Sequence, residues 1–128
     1  MDEKLLKHGS FSWFELMTTD VSGAKKFYKE LFGWEMKDQP MDKMTYTVVS
    51  ANGDEVAGIM TMPDDANEMP PAWGIYITVD NIDETIEITK KFGGKVLVEP
   101  MDIPEVGKFC VIQDPQGAWL SPIEYKKM

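Results

Sequence analysis

Glu15 is the residue of this chain whose type and setting best suit chemistry on a small molecule. It lies in an alternating stretch, residues 11–19, in which Trp13, Glu15 and Met17 share one face and apolar residues also occupy the other. We expect the helix that follows to cover one face, and a cavity or a partner half of the protein to cover the other. A carboxylate beside an indole ring suits a cationic or hydrogen-bond-donating ligand, and a partly buried carboxylate can act as a general acid or base.

The single histidine and the single cysteine do not form a catalytic pair in the sequence. His8 lies near the N-terminus, whereas Cys110 lies in an apolar run with no histidine nearby. Activation of a serine or cysteine nucleophile needs a base beside it, so the sequence does not favour nucleophilic catalysis. We expect Cys110 to be a buried, inert thiol, as free cysteines usually are.

Residues 14–34 and 75–95 repeat one pattern 61 residues apart. Each copy has an alternating strand, a polar cap, an amphipathic helix and a terminating glycine. The caps are Asp20 and Asn81, the glycines are Gly33 and Gly94, and the apolar helix stripes are Val21, Ala24, Phe27, Tyr28 and Leu31 in the first copy and Ile82, Thr85, Ile86, Thr89 and Phe92 in the second. A duplicated strand–helix unit predicts two similar halves, and the seam between them is the natural place for a ligand.

Three short strands follow each helix, which gives the order βαβββ twice. They are expected at about 34–37, 44–50 and 56–62 in the first half, and at about 95–98, 108–113 and 118–124 in the second. Asn52-Gly53 and the segment 114–117 supply turns within the halves. Residues 63–72 are acidic and contain prolines, which is typical of a linker.

The charge of the chain limits its partners. Its 128 residues carry a formal net charge of −9, with a sequence pI of about 4.5. Such a field repels phosphate backbones and anionic membranes, so we expect no nucleic-acid or membrane partner. The sequence shows no apolar run of the length that a signal peptide or a membrane span needs, and a cytoplasmic location is expected.

The order and spacing of several short motifs resemble the vicinal oxygen chelate superfamily, which includes glyoxalase I, bleomycin- and fosfomycin-resistance proteins and extradiol dioxygenases. The motifs are Trp13-Phe14-Glu15-Leu16, Thr19-Asp20, Phe27-Tyr28, Phe32-Gly33-Trp34 and Asp114-Pro115-Gln116-Gly117-Ala118. The resemblance covers about residues 9–125 and is strongest to the glyoxalase-like branch. It implies an α+β fold with one domain over residues 1–128, made of tandem βαβββ submodules. The submodules, 9–62 and 73–125, would form paired half-barrel sheets joined by the linker 63–72, with the site in the shared concavity.

The resemblance also implies where a metal ion would be held, because metal-dependent members use His, Gln or Glu at four matching places. Those places are Trp13, either Gly58 or Ala57, Gly74 and Ser121 in this sequence. Indole offers only an N–H donor, glycine and alanine have no donor atom, and a neutral hydroxyl is a weak ligand. We therefore expect no metal and no other cofactor. A displaced site that used Glu15 and Glu124 would be weak with only two carboxylates.

The pocket that remains is expected to be aromatic and to carry one carboxylate. The predicted ligand-binding residues are Trp13, Glu15, Met60, Tyr76, Trp119 and Ser121, with Glu15 the candidate catalytic residue. The alternative is that these side chains fill the half-barrels as core and leave no cavity. Glu15 argues against that alternative unless the strand register is shifted, because a carboxylate in a sealed core needs a partner.

Three functions are consistent with these residues. The favoured one is a metal-free protein that binds a small hydrophobic or cationic molecule. The second is a lyase, isomerase or hydrolase that acts on a small oxygenated substrate through Glu15, and the third is an accessory module without a small ligand. The modules can close on each other within one chain or be exchanged between two chains, and we favour a homodimer.

Overall fold

The computed structural model describes residues 2–41, 44–62 and 70–127, and it shows the order βαβββ twice. The α+β prediction is therefore confirmed. Most of the predicted linker, residues 63–69, lies outside the described residues. The elements are β1 (Phe11–Thr18), α1 (Val21–Phe32), β2 (Glu35–Met41), β3 (Met44–Ala51), β4 (Asp54–Thr61), β5 (Ala72–Thr78), α2 (Ile82–Lys91), β6 (Lys95–Ile103), β7 (Gly107–Gln113) and β8 (Trp119–Tyr125), preceded by a 3₁₀ turn at Glu3–Leu6.

The chain divides into two compact units. The first unit is residues 13–74, and the second is residues 1–12 together with 75–128. The strand order is β2-β3-β4-β1 in the first and β5-β8-β7-β6 in the second. In each unit the strand before the helix pairs in parallel with the last strand, and the other pairs are antiparallel.

Two strands are longer than the sequence predicted. β2 runs to Met41 and β6 to Ile103, so both contain a proline, Pro40 and Pro100. Each of these strands lies at one end of the strand order of its unit, β2 at the start and β6 at the finish. Proline lacks the N–H that a central strand would donate, but an edge strand tolerates the loss.

In the first unit, α1 covers one face of the strands. Asp20 caps the helix by accepting from the Gly23 N–H at 2.9 Å, and Gly33 ends it with a φ of 70°. The helix packs its inner stripe against a core of buried apolar residues. Val21, Ala24 and Tyr28 contact the cluster of Leu16, Val49, Ala57 and Ile59. The predicted stripe was wrong for Phe27 and Leu31, which are 59% and 56% exposed.

In the second unit, α2 follows the same plan. The Asn81 side chain accepts from the Glu84 N–H at 3.0 Å, and Gly93 has a φ of 91° just after the helix. The buried cluster is Val79, Ile82, Ile86 and Cys110. Phe92 was predicted to belong to the apolar stripe, but it caps the C-terminal end and is 71% exposed.

The reactivity of the Cys110 thiol tests whether the buried cluster of the second unit excludes solvent. Cys110 is buried, and burial raises the pKa of its thiol to about 11. Because the thiolate is the reactive form, we expect the folded protein at pH 8 to react with DTNB at least roughly 100-fold more slowly than the unfolded protein. The measurement is the rate of absorbance change with and without guanidinium. Equal rates in the two states would show that Cys110 is accessible.

Candidate functional site

Three side chains of the first unit form a chain of hydrogen bonds, which we call the Trp13–Tyr46–Glu15 array. Trp13 Nε1 donates to Tyr46 Oη at 2.9 Å, and Tyr46 Oη donates to Glu15 Oε2 at 2.8 Å. Trp13 and Glu15 are half-buried, and Tyr46 is only 8% exposed. The array thus places an ionisable carboxylate and an indole ring on one face, with a buried hydroxyl between them.

Strand register brings the three residues together. Alternation along β1 directs Trp13 and Glu15 to the same face, and Glu15 pairs with Gly58 of β4. Gly58 pairs in turn with Val48 of β3, and Tyr46 lies two residues before Val48 on the same face. This face is the one that α1 does not cover, because Leu16 and Ala57 point toward the helix.

Gly58 makes room for the array. A Cβ at this position would overlap the Tyr46 hydroxyl and the adjacent part of its ring. Any side chain there would force Tyr46 out of its place between Trp13 and Glu15. The glycine that cannot supply a metal ligand therefore has a defined structural role.

The array has a definite electrostatic direction. The one Tyr46 proton goes to Glu15, while the Tyr46 oxygen accepts the indole proton. A hydrogen bond donated to a carboxylate favours its ionised form. Consecutive hydrogen bonds in a partly buried environment strengthen one another. The arrangement is therefore suited to holding a negative charge in place beside an aromatic surface.

β2 extends this face with two polar side chains that the sequence pattern does not predict there. Lys37 pairs with Val48 and Gln39 pairs with Tyr46, so both share the face of the array. Lys37 is exposed and Gln39 is half-buried. The sequence pattern does not predict Tyr46 on this face either.

Met60, the remaining predicted ligand-binding residue of the first unit, lies on the same face. It pairs with Met17, two residues along the strands from the pairing of Glu15 with Gly58, and it is half-buried. Trp13, Glu15 and Met60 are thus brought to one surface.

The other three predicted residues belong to the second unit. Tyr76 of β5 pairs with Ser121 of β8, and Trp119 lies two residues before Ser121 on the same face. Tyr76 is 7% exposed and its ring lies 6.0 Å from that of Phe109, whereas Trp119 is 47% exposed. Tyr76 is therefore packed as core on this face, and Trp119 is accessible.

The residues at the four implied metal positions do not fit a divalent ion. The Trp13 indole N–H is a donor, Gly58 and Gly74 have no side-chain atoms, and Ser121 offers a single hydroxyl. Within residues 2–41, 44–62 and 70–127, no group of three or more His, Cys, Asp or Glu side chains could hold a metal ion. In the same ranges, every buried side-chain N or O atom has a hydrogen-bond partner.

Comparison with known proteins decides the family. A family model described as the Glyoxalase/Bleomycin resistance protein/Dioxygenase superfamily matches residues 10–121. The chain belongs to this superfamily. The resemblance seen in the sequence motifs is thereby confirmed, and the order βαβββ repeated twice is the superfamily's fold.

Two curated relatives extend the assignment of this superfamily member. "Putative glyoxylase CFP32" of Mycobacterium tuberculosis is 42% identical over 115 residues, which cover 88% of this chain and 44% of that protein. "Anthracycline biosynthesis protein DnrV" of Streptomyces peucetius is 32% identical over 124 residues, which cover 86% of this chain and 45% of that protein. The chain thus spans about half the length of the curated relatives it matches.

A solved structure supports the fold of this superfamily member. The crystal structure of methylmalonyl-CoA epimerase from Mycobacterium tuberculosis matches with a TM-score of 0.67, covering 99% of this chain and 94% of that chain at 14% identity. At this identity the likeness concerns the fold alone.

Neither helix in the described part of the chain has the length and apolar character of a membrane-spanning segment.

The close approach of Gly58 and Tyr46 generates a prediction on stability. We expect Gly58→Ala to lower the free energy of unfolding by about 1–3 kcal/mol, because the added methyl group overpacks the site. The same substitution in a Tyr46→Ala background should cost much less, since the ring that it overlaps is gone. Denaturant unfolding of the four proteins of this double-mutant cycle measures the coupling.

Gly74→Ala is the matched control for this cycle. A Cβ at Gly74 would meet only the Glu15 carbonyl oxygen, at 3.8 Å, so this substitution should change stability by less than about 0.5 kcal/mol. An equal cost of Gly58→Ala in both backgrounds would contradict the packing described for Tyr46.

Proposed function

We propose that this protein binds a small molecule without a metal ion, at the face of the Trp13–Tyr46–Glu15 array. The ligand class is a flat apolar compound that carries a cationic or strongly hydrogen-bond-donating group. The array is the observation that carries the proposal, because it holds a carboxylate beside an aromatic ring in a partly desolvated place. An indole face attracts cations, and an ionised carboxylate adds a charge-assisted hydrogen bond.

The surroundings of Glu15 support this ligand class. Met17 and Met60 pair with each other on the same face, and methionine side chains adapt to irregular apolar ligands. The relative DnrV is named for anthracycline biosynthesis. An anthracycline joins a flat ring system to a protonated amino sugar. That combination of a planar apolar body and one positive charge suits an indole, two methionines and a carboxylate.

Catalysis through Glu15 is the second candidate. The relative CFP32 is named as a glyoxylase. In an enzyme of this kind, Glu15 would accept a proton from a carbon beside a carbonyl group. The hydrogen bond from Tyr46 weighs against this candidate, because the Tyr46 hydroxyl already donates to Glu15 Oε2, one of the two oxygens that would accept the substrate's proton. Binding is therefore the function that the geometry of the array supports better.

Daunorubicin and its N-acetyl derivative form a matched pair of probes, because they share the ring system and differ in the charge of the sugar amine. We expect the wild-type protein to bind daunorubicin about tenfold more tightly than the acetylated compound, which corresponds to about 1.4 kcal/mol. In Glu15→Gln this preference should disappear, because the amide keeps the shape of the side chain and removes its charge. Titration calorimetry measures both affinities.

Two controls make the outcome specific to Glu15. Glu87→Gln changes an exposed glutamate on α2 and should retain the preference. Trp13→Phe should weaken the binding of both probes, since it removes the indole but not the carboxylate. Equal affinity of the wild type for the two probes would refute the cationic ligand class. Lack of binding to either probe, together with turnover of an α-oxygenated carbonyl compound that Glu15→Gln abolishes, would favour the enzyme.

Metal content is the second test. We expect the purified protein to contain much less than one equivalent of zinc, nickel or iron per chain, since the described residues provide too few ligands for such an ion. Elemental analysis before and after dialysis against EDTA measures this content. About one equivalent of a transition metal, lost together with ligand binding on chelation, would overturn the metal-free proposal.

A further inference from the structure

The placement of Lys37 on the face of the array is fixed by its neighbour Asp38. Lys25 Nζ of α1 donates to both oxygens of the Asp38 carboxylate at 2.9 Å, and Thr47 Oγ1 donates to one of them at 2.7 Å. Thr47 is buried and pairs with Ile59, which belongs to the core that α1 covers. Successive side chains of a strand point to opposite faces, so Asp38 held toward α1 leaves Lys37 on the side of the array.

Lys37 and Glu15 lie at the two ends of one row of paired residues across four strands, which we call the charged row. Lys37 pairs with Val48, and Val48 pairs with Gly58. Gly58 pairs in turn with Glu15. Neighbouring strands lie about 4.8 Å apart, so three spacings separate the Cα atoms of Lys37 and Glu15 by about 14 Å. The row therefore has a positive and a negative side chain at opposite ends of an apolar floor made of Val48 and Gly58.

The positive end of the charged row is open to an anion from solution. Lys37 is exposed, and within the described part of the chain it forms no ion pair, whereas Lys25 on the opposite face is matched by Asp38. The formal charge of −9 repels anions from the protein as a whole. An anionic group is therefore attracted only where a local cation outweighs that field, and Lys37 is such a cation on the face of the array.

We propose that Lys37 determines the specificity of the ligand site by binding a carboxylate at the end of the ligand opposite to its cationic group. The inference rests on the proposed function and adds a second charge to the ligand class given there. The ammonium group of the ligand meets Glu15, and its carboxylate meets Lys37. The apolar body of the ligand lies between them, over Val48 and Gly58. Lysine carries its charge on a flexible stem, so ligands of somewhat different lengths fit the row.

A biphenyl with an aminomethyl group at one end and a carboxylate at the other is a suitable probe. Its two charges are separated by a rigid apolar body of a length similar to that of the charged row. Its methyl ester keeps the cation alone, and its N-acetyl derivative keeps the anion alone. We expect the wild-type protein to bind the free acid about threefold to fivefold more tightly than the ester, which is the range for an exposed ion pair. Titration calorimetry at low salt measures the three affinities.

Variants at the two ends of the row separate the two charges. Lys37→Gln should abolish the preference for the acid over the ester and keep the preference for the amine over its N-acetyl derivative, whereas Glu15→Gln should do the reverse. Lys37→Arg should retain both preferences, because it keeps the charge. Lys29→Gln is the matched control, since Lys29 is an exposed lysine on α1, on the other side of the strands. In the wild type, about 1 M salt should remove the preference for the acid, because the Debye length falls to about 3 Å.

The possible failures of this inference and of the proposed function give different results. Equal affinity of the wild type for the acid and the ester would refute the role of Lys37, and a remaining preference for the amine that Glu15→Gln removes would leave the proposed function intact. A preference for the acid that survives in Lys37→Gln would also refute this role, because the carboxylate would then bind elsewhere. Failure of both the biphenyl amine and daunorubicin to bind would overturn the proposed function and this inference with it.

Discussion

The position of the Tyr46 hydroxyl above Gly58 is the constraint on which the candidate site depends. This hydroxyl joins Trp13 to Glu15, and it fits only because Gly58 has no side chain. A partly buried carboxylate without a partner would be costly, and the hydrogen bond that Glu15 accepts from Tyr46 offsets part of that cost. The Trp13–Tyr46–Glu15 array therefore depends on the close contact between the Tyr46 ring and the backbone of Gly58.

A β-bulge in the β3–β4 hairpin places Tyr46 on the same face as Gly58 and so allows their contact. Near the turn, Ala51 pairs with Asp54 and Ser50 with Glu55, but after the irregularity Val49 pairs with Ala57. Without that shift, continuation of the first register would place Tyr46 opposite Ile59, on the face covered by α1. A change of one residue moves every later side chain to the other face. The bulge thus separates the core of the first unit from its polar array.

The sequence predicted the parts of this site that depend on local pattern. Alternation along β1 was sufficient to place Trp13 and Glu15 on one face, and the polar cap with the terminal glycine located α1. Tyr46 could not be found in this way, because its face depends on the bulge and a bulge has no signature in the Asn52-Gly53 turn. Lys37 and Gln39 were missed for the same reason, since β2 takes its register from β3.

The helix stripes show a related limit of pattern. Periodicity identified the apolar residues of α1, but it cannot tell whether a given apolar residue is covered. Phe27 and Leu31 continue the stripe of Val21, Ala24 and Tyr28 in sequence, yet they are more than half exposed and are not among the residues packed against the buried cluster. Burial depends on what faces the helix, which is a property of the tertiary structure.

The two units of the repeat use one backbone plan for different purposes. In the second unit, the residue that corresponds to Glu15 is Tyr76, whose ring packs near Phe109. In the first unit, the same place holds a carboxylate within a polar array. A net hydrogen bond contributes only about 1 kcal/mol, and loss of one partner costs as much or more, so such an array stabilises a fold less securely than apolar packing. Stability alone would favour rings in both units. The carboxylate at this place in the first unit, where the second unit has a packed ring, is therefore the difference between the units that the proposed ligand site would explain.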